Sequence, residues 1–104
     1  RNESFVIVFL DQQHRNIDTL SMFQGTINTS AVYPREVIKK VLELGAVAVI
    51  LGHNHPSGET TPSNSDRAVT QKLKTALNAI DVEILDHIIV GTDAHYSFQD
   101  HSIL

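Results

Sequence analysis

Hydrophobic residues fall into two kinds of pattern along this chain. Phe5 to Leu10 (FVIVFL) and Ala46 to Leu51 (AVAVIL) are continuous apolar runs. Both are too short for a typical helix and predict buried strands. Glu83 to Val90 (EILDHIIV) is a third strand candidate. Ile17, Leu20 and Phe23 alternate loosely up to Gly25, and His95 to Phe98 makes a short closing strand. Elsewhere the spacing is helical. Val37, Ile38, Val41 and Leu42 form a stripe in Pro34–Leu44, with proline in the first turn and Gly45 as the stop. Val69, Leu73, Leu77 and Ile80 form a second stripe, in a helix starting near Ser63 and running to about Ala79.

The predicted order is therefore β-β-α-β-α-β-β. The first two strands form a hairpin across the polar stretch Asp11–Asn16, which excludes a purely parallel sheet. The expected fold class is α/β, with a mixed, mainly antiparallel sheet flanked by helices. The Ala46–Leu51 strand, apolar at every position, is expected to be central and covered on both faces. Thr26–Ser30 is mostly small and polar, with Ile27 its one large apolar residue. It adds no element.

Composition narrows the function more by exclusion. With 104 residues the chain is expected to form a single domain with one core. It opens at Arg1 beside a strand, which suggests a fragment of a longer protein or one trimmed for study. No apolar run approaches the roughly 20 residues of a membrane helix. The absence of cysteine rules out disulfides and thiolate metal sites and suits the cytoplasm. A net charge of -4 is not the surface of a typical DNA binder. The basic residues Arg35, Lys39, Lys40, Arg67, Lys72 and Lys74 fall on helices, where solvated faces carry such groups.

Chemistry concentrates in His53–Asp66, HNHPSGETTPSNSD. Residues two apart on an extended segment face the same way, so His53 and His55 can enter one cavity. Asp66 joins them if the loop through Pro56, Gly58 and Pro62 folds back into a helix. Two imidazoles and a carboxylate with one position open are the ligand set of a catalytic zinc. The plain alternative is a polar loop whose histidines bond to backbone groups. Ser63 reads first as a helix N-cap, with Asp66 three residues on as in a capping box. Its hydroxyl can also face a developing oxyanion.

Glu3, Glu36, Glu43, Glu59 and Glu83 are the candidate proton acceptors; Glu3 borders a rigid strand, though a frayed terminal residue is its plain reading. His87 reads as a partly buried histidine bonded to backbone, with a supporting role beside the metal as the alternative. The serines lack a nucleophile-elbow pattern, and the cysteine ligands and His-x-Glu of zinc deaminases do not occur.

His53-x-His55-Pro56, six residues, Ser63, two residues, Asp66 resembles the pattern of JAMM (MPN+) metalloproteases. The wider chain resembles the bacterial RadC branch in Phe9–Asp11 (FLD), Pro34–Glu36 (PRE), His53–Gly58 (HNHPSG), Pro62-Ser63 and Asp86–Ile89 (DHII). Asn54 stands where eukaryotic members have Ser or Thr, and its side chain is expected to face away from the metal. The resemblance implies a cytidine-deaminase-like α/β fold and one zinc ion held by His53, His55 and Asp66. It implies that Ser63 polarises the scissile carbonyl and that Glu3 is the catalytic base. The implied function is a metallopeptidase or isopeptidase acting on a peptide or protein. The branch carries a DNA-repair label, which keeps a nucleic-acid processing module as the alternative, beside a noncatalytic interaction domain.

Overall fold

The computed structural model describes residues 3–25 and 32–104, with the side chains of 23–25 excepted. The reading of Thr26–Ser30 as an element-free segment lies outside the described residues. Five strands and two helices follow in the expected order: β1 (Glu3–Leu10), β2 (Asn16–Gly25), α1 (Pro34–Leu44), β3 (Ala48–Asn54), α2 (Asn64–Asn78), β4 (Glu83–Val90) and β5 (His95–Ser97). They form one sheet in the order β2-β1-β3-β4-β5. All neighbours are antiparallel except β3 and β4, which are joined through α2 and run parallel. The sheet is thus mixed and mostly antiparallel.

The β1–β2 hairpin turns at Asp11. Its carboxylate accepts from the N–H groups of Gln13 and Arg15, both at 2.9 Å, while His14 takes a left-handed conformation at φ 61°. A short polar side chain that satisfies the turn's own backbone is what makes such a loop self-contained. At the same end of the sheet, α1 stops at Gly45, whose φ of 68° is the left-handed cap.

Both helices lie on one face of the sheet. Phe5, Ile7, Phe9, Val49 and Leu51 share a single core with Val37 and Val41 of α1 and Leu73 and Leu77 of α2. The expectation that β3 is covered on both faces is corrected here. Val49, Leu51 and His53 are buried, while Ile50, Gly52 and Asn54 are half-buried. The second face has no helix on it among the described residues. The strand also continues past Leu51 to Asn54, because its ladder partners on β1 and β4 continue. That extension carries His53 on the core side of a strand buried between two neighbours.

Candidate metal centre

Three chain segments meet at one end of the sheet. β1 begins there with Glu3, β3 ends there at His53 and Asn54, and α2 starts there at Ser63. Phe5 is the cross-strand partner of His53, so Glu3, two residues earlier on the same face, extends beyond it. Asn54 lengthens this junction. Its side-chain oxygen accepts from the Ser4 N–H at 2.6 Å and the Ser4 hydroxyl at 3.1 Å, taking over where the ladder ends. Asn54 thereby grips the residue next to Glu3.

Asp66 arrives from the helix. Ser63 accepts the Asp66 N–H at 3.0 Å, and Asp66 Oδ2 accepts the Ser63 N–H at 2.8 Å, a reciprocal capping box. Asp66 is also the first member of the buried stripe Asp66, Val69, Thr70, Leu73, Leu77, so the core side of α2 delivers a carboxylate. Ser63 uses its oxygen lone pair in the cap and keeps its hydroxyl proton for another acceptor.

The expected residues do converge. His53 and His55 meet edge to face with ring centroids 4.8 Å apart. His53 Nε2 contacts Glu3 Oε2. His53 Nδ1 lies 3.3 Å from Asp66 Oδ1, and His55 Nε2 lies 3.0 Å from Asp66 Oδ2. One ligand atom each from Glu3, His53 and His55 falls within 4.8 Å of the others. Glu3 is therefore as close to the two histidines as a ligand would be. Glu36, Glu43, Glu59 and Glu83 are exposed. Glu59 enters the site by its backbone: its carbonyl accepts from His55 Nδ1–H at 2.8 Å, which aims Nε2 at the cluster. His14, His95 and His101 lie outside the cluster and are exposed.

This donor set fits a divalent cation. Glu3, His53 and Asp66 are each at most 4 % exposed. Two buried carboxylates need compensation, and an uncompensated buried charge is strongly destabilising. The cavity above them, about 410 Å³, is walled by Pro56, Ser57, Ser63 and Ser65, with no lysine or arginine among the described residues to balance the charge. Glu3 Oε1 and His53 Nδ1 are buried without a hydrogen-bond partner. Burial raises the Glu3 carboxyl above its usual range, opposed by nearby His55 and assisted by Asp66. Burial lowers His53, against the pull of Asp66. A larger cavity of about 500 Å³ beside Lys74, Asn78 and Gln99 contains no such grouping among the described residues.

His87 belongs to the supporting layer. Thr70 donates its hydroxyl to the Asp66 carbonyl at 2.8 Å, so it must accept from His87 Nδ1–H, 2.5 Å away. The partner is thus a side chain, where sequence suggested backbone. The ring stacks on Phe98 at 4.4 Å, and its Nε2 has no partner. Burial, with His53 close by, pushes the imidazole down to about 4. The native state holds His87 neutral, whereas the unfolded chain protonates it below about 6.5. Stability from this group is complete above pH 6.5 and is lost as pH falls toward 4, on the order of 3 kcal/mol. Denaturant unfolding from pH 7 to 4 should show a slope that flattens in His87→Gln. An unchanged slope would assign the acid sensitivity elsewhere.

Asp86, its neighbour, is structural. It accepts from the N–H groups of His87 and Gln99 at 2.7 and 3.0 Å and from the Ser97 hydroxyl at 2.6 Å, tying β4 to β5. Thr70 and the Glu59 carbonyl are the contributors that motif spacing does not reveal.

Residues 1–103 match the RadC-like JAB domain. A UPF0758 protein of Xylella fastidiosa (strain 9a5c) is 52% identical over 103 residues, covering 99% of this chain and 46% of its own. A UPF0758 protein of Vibrio cholerae serotype O1 is 51% identical over 90 residues, 86% of this chain and 57% of its own. UPF0758 protein YkfG of Escherichia coli K12 is 49% identical over 102 residues, 98% and 65% respectively. The chain spans about half the length of the curated relatives it matches. Both the match along its length and the gathering of His53, His55, Asp66 and Glu3 into a JAMM-like cluster mean that this chain belongs to the RadC/UPF0758 family of JAB domains.

Proposed function

We propose that the 104 residues act as one zinc-dependent hydrolase domain that cleaves amide bonds, as a peptidase or isopeptidase. The observation that carries this reading is the grouping of buried Glu3 and His53 with half-buried His55, both histidines touching buried Asp66, at the floor of a cavity with no cationic side chain among the described residues. His53, His55 and Asp66 would hold one zinc ion. Bound there, zinc supplies Lewis acidity that makes a water nucleophilic near neutral pH and polarises a carbonyl.

The chain's own groups do the remaining work. Glu3 accepts the proton of the attacking water and passes it to the leaving nitrogen, for which its raised carboxyl pKa is suited. Burial and the grip of Asn54 on Ser4 hold Glu3 in one place, which is the preorganisation a proton acceptor needs. Ser63 donates its free hydroxyl proton to the oxygen that gains charge as the carbonyl becomes tetrahedral. A phosphodiester would call for cationic contacts to phosphate, and the cavity wall offers none among the described residues. We extend the fold reading to a likeness with the cytidine-deaminase layering, supported by the parallel β3–α2–β4 unit. Among the described residues no helix is long and apolar enough to cross a membrane. We assign the activity to the cytoplasm, which a cysteine-free domain suits.

The test is incubation of the zinc-loaded chain with a peptide library, before and after chelation. Cleavage that stops on chelation and returns with zinc is the expected result. Failure to bind zinc, or cleavage indifferent to chelation, would overturn the reading. Salt-sensitive DNA binding without cleavage would favour the nucleic-acid alternative.

A further inference from the structure

The geometry points to Gly91, in the turn after β4, as a positioning residue for His55: its bare backbone lets the 58–60 loop seat the Glu59 carbonyl on His55 Nδ1. The inference rests on His55 being a metal ligand, as proposed above.

The chain of contacts is short. His55 leaves β3 but stays tied to β4, donating its N–H to the Val90 carbonyl at 3.2 Å. The loop then turns, and the Gly58 N–H donates to the His55 carbonyl at 2.9 Å. One residue on, Glu59 presents the carbonyl that accepts from His55 Nδ1–H. This loop rests directly on the turn that follows Val90. A methyl group at Gly91 would sit 2.7 Å from Thr60 Cγ2 and closer still to the Gly58 carbonyl oxygen. A methyl at Gly58 would lie 2.9 Å from Thr92 Oγ1, at a φ of 88° that already favours glycine. At Gly91 the nearest obstacle is backbone, which cannot yield by turning a side chain. Gly91 is itself fixed, donating its N–H to the Ala94 carbonyl at 2.8 Å.

Adding a methyl at Gly91 must therefore lift the 58–60 loop. The Glu59 carbonyl moves off His55, and the ring loses the bond that sets which nitrogen faces the cluster. Losing such an outer partner of a ligating histidine typically weakens metal binding about 10- to 100-fold.

The experiment compares Gly91→Ala with wild type in two ways. In the metal-free protein, NMR measures amide exchange at Gly58 and the mobility of the His55 ring. With zinc, competition against a chromophoric chelator gives affinity. Gly91→Ala should accelerate Gly58 exchange, free the His55 ring and weaken zinc binding about 10- to 100-fold. Gly58→Ala, which crowds Thr92 in the same turn, should do likewise and stands in if Gly91→Ala does not fold; there the exchange is read at the alanine amide. Gly45→Ala is the control. It is strained at φ 68° yet meets nothing within 4 Å, so it costs stability without touching the loop. It should leave all three readouts at their wild-type values.

Wild-type Gly58 exchange and ring mobility in a folded Gly91→Ala would overturn the inference. So would the same changes in Gly45→Ala. So would unfolding of both loop variants, since that would make the contact a requirement of the fold. A wild-type protein that binds no zinc would defeat the proposed function, while the metal-free readouts would still decide the role of Gly91.

Discussion

Glu3→Gln is expected to keep zinc and lose turnover. The carboxamide matches the carboxylate in shape, so β1 keeps its packing, but it cannot accept a proton from water. Removing a general base of this kind costs roughly 10²- to 10⁴-fold in rate. Zinc affinity measured on the same protein decides between two roles, because Glu3 stands as near to His53 and His55 as a ligand would. Unchanged affinity with lost turnover identifies the proton acceptor. A matching fall in affinity would make Glu3 a ligand, and normal cleavage would remove it from the mechanism. The metal-free variant should be no less stable at neutral pH. Burial raises the Glu3 carboxyl pKa, so its ionised form weighs against the native state and the neutral amide does not.

Asp66→Ala is expected to do the opposite, losing zinc affinity by more than about 100-fold, beyond the range for outer partners of a ligand. It should also cost about 1 kcal/mol of fold stability, since Ser63 loses the acceptor for its N–H in the capping box. Asp66→Asn separates these losses. Its amide oxygen still accepts from Ser63, while the charge that would face the ion is gone. Calorimetric zinc titration paired with denaturant unfolding should find the Asp66→Asn protein near wild-type stability and still poor in zinc. Retained zinc affinity in both variants would exclude Asp66 as a ligand.

Much of this is legible in the chain. Pro34 and Gly45 bracket α1, and Gly91 follows β4; both elements have the bounds the sequence predicts. The capping box at Ser63 and Asp66 follows from residue type and spacing alone. The end of β3 does not, because side-chain polarity changes at Gly52 while backbone pairing with β1 and β4 continues. Nor does its half-covered second face, since a fully apolar strand does not say which side the helices choose. The burial of Glu3 has a faint signal in the alternation Glu3, Phe5, Ile7, Phe9, all on the buried face. Likewise Asp66 stands in register with Val69 and Leu73 on the core stripe of α2. The bond from His55 to Glu59 has none. Every residue carries a carbonyl, so only the path of the loop selects the one that is used.

Asn54, clasping Ser4 across two strands, has a wider meaning. In the proposed division of labour the proton acceptor and the ion's holders are 50 or more positions apart in sequence, joined by the last rungs of one ladder. Unzipping those rungs would part the two halves of the proposed chemistry while the helices stayed seated, so that activity would be lost well before the fold melts.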